Sequence, residues 1–113
     1  MDPLQLYFIS KTAVHYSLHF LIPGLIAYTF FKDNWRKVWL ILIATMLVDV
    51  DHLLANPIFD PNRCSINFHF LHTYYAIACY ALLFIFTKNK TLRIISLGLL
   101  LHMFTDYQDC YWW

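Results

Sequence analysis

Every histidine of this chain sits at one end of an apolar stretch. His15 and His19 make an H-x-x-x-H pair, His52 closes D-V-D-H, His69 and His72 form H-x-x-H, and His102 opens H-x-x-x-D. Polar groups in apolar surroundings are costly unless each finds a partner. The chain must therefore fold so that these four ends meet.

Composition narrows the class. The 113 residues are 60% hydrophobic and 13% charged, about half the charge that an ordinary soluble domain carries. A single domain over residues 1–113 and an integral membrane protein are the expectation. A net charge of +1 leaves no basic patch for nucleic acid. No glutamate is present, so carboxylate chemistry falls to seven aspartates. The N-terminus has no basic region or small-residue cleavage site of a signal peptide.

Four apolar spans are predicted: about Lys11 to Phe31, Val38 to Ala55, Phe68 to Thr87 and Thr91 to Asp109. Each approaches the ~20 residues that cross ~30 Å of hydrocarbon. Pro23-Gly24 is a candidate kink, and Pro57 and Pro61 break the longer connection. The fold class expected is all-α, an up-down-up-down bundle of four transmembrane helices. In that arrangement the starts of odd spans and the ends of even spans share one side, so the four polar clusters converge.

Helical phase sharpens the site. At about 100° per residue, positions three or four apart share a face. His15/His19, Asp49/His52, His69/His72 and His102/Asp106 are such pairs, with Asp109 on the last stripe. Asp51 points about 100° from His52, as a partner behind the ligands. Lys32, Arg36, Lys37, Lys88, Lys90 and Arg93 lie on one side, with Lys11 and Arg63 on the other. The positive-inside rule then puts the histidine side and both termini outside an inner membrane, with Tyr111-Trp112-Trp113 at the interface. Insertion in both orientations is the rival.

One buried histidine reads as hydrogen-bonding glue between helices; six on one level read as a metal site. The candidate ligands are His15, His19, Asp49, His52, His69, His72, His102 and Asp106. Nitrogen and carboxylate donors suit zinc first, with iron, manganese or nickel as alternatives. Eight candidates exceed one tetrahedral site, so one ion with supporting groups and two ions bridged by Asp49 or Asp106 are both open. Cys64 and Cys110 are candidates for a disulfide, free thiols or further ligands; Cys79 reads as packing. No serine has the setting of a nucleophile.

Taken in order, H-Y-S-L-H, D-V-D-H-L-L, the Arg63 to His72 stretch and L-L-L-H-M-F-T-D resemble the small bacterial membrane-bound metal-dependent hydrolases of the YdjM-like group. The likeness is greatest to a short subgroup carrying R-C-S-I-x-F-H-x-L-H. Val48 departs from that group's usual proline, and His69 and His72 are closer together than its third motif places them. The resemblance implies the four-helix membrane fold, a divalent metal and hydrolysis.

The expected function is hydrolysis of a lipid-like substrate, such as a phosphoester, at the outer membrane interface. Asp51 would be general base or orienter of His52. Arg63 would pair with a phosphate or snorkel at the interface. The alternative is a metal-binding, non-catalytic subunit of a membrane complex, or a homo-oligomer. The apolar Val38–Met46 and Ile94–Leu101 stretches offer no transport path. A histidine-ligated di-iron or haem protein is a third class.

Overall fold

Pro23 shapes the first arm of the chain. The computed structural model describes residues 2–57 and 63–112. Helix α1 (Pro3–Tyr16) starts at a capping box: Asp2 accepts from the Gln5 backbone N–H, and the Gln5 side chain accepts from that of Asp2. Such caps satisfy amides that a helix start leaves unpaired. The helix then widens into a π turn (Ser17–Leu21) before α2 (Ile22–Phe30). A proline ring crowds the carbonyl four residues back, here that of His19, and the wider turn relieves it. Trp39 crosses this region and donates its indole N–H to the Phe20 carbonyl at 2.7 Å.

The second arm tightens. Helix α3 (Trp35–Ala44) passes into ten residues of 3-10 helix (Thr45–Leu54). At about three residues per turn, Thr45, Val48 and Asp51 form one buried row. Asp49 and His52 stand on the row beside it. A short 3-10 turn (Phe70–His72) leads to α4 (Tyr74–Phe86), capped by Thr73, and α5 (Lys90–Tyr111) is capped by Asn89. Ala27, Val38, Leu42 and Ile94 form one apolar cluster. Val48, Ile66 and Met103 form another, beside a Cys64–Cys110 disulfide that ties the histidine-bearing loop to the end of α5.

The transmembrane expectation is corrected here. Among the described residues no helix is long and apolar enough to cross a membrane. Two of the apolar runs are not single α-helices. Lys11 to Phe31 is divided by the π turn, and Val38 to Ala55 changes to 3-10 geometry at Thr45. Helix α4 is apolar but has 13 residues, or about 20 Å against the ~30 Å of hydrocarbon. Helix α5 has 22 residues but carries Lys90, Arg93, Asp106 and Asp109. The four-span membrane bundle, the inner-membrane location and the outward orientation drawn from the basic loops fall together. Leu25, Phe30, Leu40, Leu54, Tyr75 and Phe86 are exposed, so much of the apolar composition lies on the surface of an all-helical fold. Pro61 and Trp113, read as a breaker and a belt residue, lie outside the described residues.

Gly98 sets the approach of α5 to the second arm. A Cβ there would lie 2.6 Å from Thr45 Cγ2 and 2.7 Å from Thr45 Oγ1. One turn further along both elements, His102 meets Asp49. Gly98→Ala should therefore cost about 1–3 kcal/mol through overpacking. Chemical denaturation measures this, and an unchanged midpoint would mean that Thr45 yields freely.

Candidate metal centre

Four donor atoms converge where the second arm, the Phe70–His72 turn and α5 meet. Asp49 comes from the 3-10 row, His72 from the end of the turn, and His102 and Asp106 from successive turns of α5. His72 Nε2 lies 3.2 Å from Asp49 Oδ1, 3.1 Å from Asp106 Oδ2 and 3.2 Å from His102 Nε2. His102 Nε2 lies 2.9 Å from Asp49 Oδ1 and 3.2 Å from Asp106 Oδ2. Around a tetrahedral ion with bonds of about 2.0–2.1 Å, donors sit about 3.3 Å apart. Five of the six donor pairs, at 2.9–3.2 Å, are close to that size. The group could hold a metal ion.

The hydrogen bonds leave the centre short of a cation. Asp51 Oδ2 accepts from the Leu71 backbone N–H at 2.8 Å and from His72 Nδ1 at 2.7 Å. A carboxylate only accepts, so His72 carries its first proton on Nδ1. In a neutral ring Nε2 would then be a bare lone pair facing the oxygens of Asp49 and Asp106. Asp106 Oδ2 is buried and has no aligned hydrogen bond, although two ring nitrogens are within 3.2 Å. A proton on Nε2 or a metal ion resolves the clash.

Electrostatics agree. Burial acts to lower the pKa of His72, but Asp106, Asp49 and Asp51 outweigh it and raise it to about 10. His102 is likewise raised to about 9, burial being outweighed by Asp106 and Asp49. Burial works the other way on Asp49 and Asp106, and the two histidines beside them hold both carboxyls well below the usual range. His19 is lowered to about 4 by burial and by His102 and His15. His69 is lowered by burial and by His52.

Two further groups flank the four donors. His15, His19 and Asp106 form one, and Asp51, His52 and His69 the other. His52 and His69 stack with ring centroids 3.9 Å apart, and His52 Nδ1 lies 3.3 Å from Asp51 Oδ1. His69 and His72 do not share an α-helical face as the spacing predicts. They precede α4, and the turn sends them to different groups. A cavity of about 420 Å³ adjoins the cluster, lined among others by Phe8, Lys11, His15, Tyr16, His52, Arg63, His69 and Asp109. Arg63 donates to the Pro57 carbonyl at 2.7 Å and stands over the Phe68 ring. Lys11, placed by the sequence on the histidine side but not among the site residues, stands one turn before His15 on the same stripe.

Fold and site together define an all-helical protein with buried His/Asp groups that could hold a metal ion. Residues 9–113 match the model of a family of unknown function, DUF6122, and the chain belongs to that family. The match carries no link to the YdjM-like hydrolases that the motifs resemble. No curated protein and no solved structure matches the chain.

A pH dependence follows. His72 and His102 are raised from 6.5 to about 10 and about 9. In protein freed of metal, their contribution is complete below pH 6.5 and is lost as pH rises through those values. His19, lowered from 6.5 to about 4, contributes above 6.5 and loses its share as pH falls. The melting temperature of chelator-treated protein should therefore drop from about pH 7 to about pH 10, and that of zinc-loaded protein should hold. Parallel melting curves across this range check it.

Proposed function

We propose that this chain is a metal-dependent hydrolase of phosphoesters carrying an apolar group, with zinc held by Asp49, His72, His102 and Asp106. The observation that carries the reading is the convergence of four donor atoms at close to tetrahedral spacing, one of them a buried Asp106 oxygen with no aligned hydrogen bond. Two imidazole nitrogens and two carboxylates suit zinc, and also iron(II) or manganese. A bound divalent ion would bring the pKa of water toward about 7 and polarise a phosphoryl oxygen.

The remaining residues fit that role. Asp51 is a positioning residue: its carboxylate fixes the tautomer and direction of His72, as partners behind metal-bound histidines do. Asp49 is the most accessible of the four, its side chain 35% exposed against 10% for Asp106, so the centre opens on its side. In the cavity, Lys11 and Arg63 suit an anionic phosphate, while Phe8 and Tyr16 suit an apolar substituent. Water would add to phosphorus as the ester P–O bond breaks, and the departing oxygen would take a proton. This part of the reading also has the support of the YdjM-like motif resemblance.

A second reading has its own observation. Four protein donors fill a tetrahedron, as in structural zinc sites, and none of the four lines the cavity. A non-catalytic metal centre, in a subunit of a larger assembly, would have this form.

Metal content and turnover separate the readings. Zinc-loaded protein should hydrolyse p-nitrophenyl phosphodiesters, faster when the second substituent is a longer alkyl chain. His102→Ala and Asp106→Asn should lower both bound zinc and rate, the rate by on the order of 10²-fold or more. Stoichiometric zinc with no hydrolysis would establish the structural reading. Less than about half an equivalent of any transition metal, against the full equivalent of a structural site, would overturn both. Asp51→Asn should weaken zinc binding by about 10–100-fold, measured by competition with a chromophoric chelator; an unchanged affinity would remove its positioning role.

A further inference from the structure

Asp106 faces two ways. Its Oδ2 points into the four-donor centre, 3.1 Å from His72 Nε2 and 3.2 Å from His102 Nε2. Its Oδ1 lies 3.9 Å from His19 Nε2. His15 and His19 sit one turn apart with ring centroids 4.5 Å from each other. One donor atom each from His15, His19 and Asp106 fall within 4.8 Å of one another.

This second group is largely buried and under-satisfied. His19 is 4% exposed, and the π turn ahead of Pro23 fixes its backbone. His15 Nδ1 is buried with no hydrogen-bond partner. Asp109 Oδ2 is 3.8 Å from that nitrogen, and the other Asp109 oxygen is also buried and unpaired. Buried polar atoms in native proteins nearly always have a partner, and these atoms lack one beside the His15, His19 and Asp106 group.

We infer that a second divalent ion binds to His15, His19 and Asp106, with the Asp106 carboxylate bridging it to the ion of the four-donor centre. The inference rests on the metal centre proposed above. Carboxylate-bridged pairs of this kind stand about 3.5–4 Å apart. The two centres differ in kind. The first has four protein donors; the second has three, the number that leaves a position open in catalytic sites. His15 and Asp109 line the cavity with Lys11 and Arg63, so the open position faces the space where an anionic substrate would sit. This assigns holding the pair together to the first ion and contacting substrate to the second.

The test is metal stoichiometry and coupling on the full chain. Protein stripped with chelator and dialysed against Zn²⁺ should retain two equivalents, and His15→Ala/His19→Ala should retain one. Manganese-loaded wild-type protein should give the exchange-coupled electron paramagnetic resonance signal of a bridged pair, a readout that needs no variant. One equivalent of zinc and an isolated six-line manganese signal would overturn the second site and leave the first standing. Two equivalents unaffected by the double variant would also overturn it and move the second ion to Asp51, His52 and His69. Metal below half an equivalent would instead overturn the reading on which it rests.

Discussion

His72 cannot turn a bare ring nitrogen toward two carboxylates without a cation between them. Asp51 occupies Nδ1, which leaves Nε2 facing Asp49 and Asp106 at 3.2 and 3.1 Å. Buried charges of one sign are stable only when compensated. Protons on His72 and His102 supply the compensation in the absence of metal, and one divalent ion would supply the same two charges. Metal binding and proton release would then be one exchange, and such an ion would gain affinity as pH rises.

The rest of the fold brings these groups within reach. Gly98 lets α5 lie against Thr45, and the contact one turn on is His102 with Asp49. The Cys64–Cys110 bond anchors the loop before His69 to the end of α5, across a sequence separation of 46. In the chain-entropy model a loop of that size is worth about 4 kcal/mol. The Tyr80 hydroxyl donates to the Leu71 carbonyl, and the Leu71 N–H donates to Asp51. The turn that delivers His72 is thus held from both sides. Pro23, by forcing the π turn, places His19 behind Asp106.

The clustering of polar ends was legible in the sequence because residue type and spacing survive any moderate change in helix geometry. His102 and Asp106, four apart on an unbroken α-helix, stand as their spacing implies. Two things were not legible. Uniform α-helical phase fails over Thr45–Leu54, where 3-10 geometry turns Asp51 into the buried row, and at His69, whose extended backbone stands outside the Phe70–His72 turn. Hydropathy measures how apolar a run is and says nothing of whether the run stays one helix, so the runs broken at Ser17 and Thr45 passed for membrane spans. The cysteine pairing was one of three readings, because linear spacing carries no information on how the loop folds back to α5.

The site's role turns on Asp49, His72, His102 and Asp106 as metal ligands. X-ray absorption at the zinc edge of the reconstituted protein tests it directly. With one equivalent of zinc bound, a four-coordinate nitrogen and oxygen shell at about 2.0 Å is expected, with imidazole scattering that falls in a His72→Ala/His102→Ala variant. A sulfur shell, or six oxygens without imidazole, would contradict it.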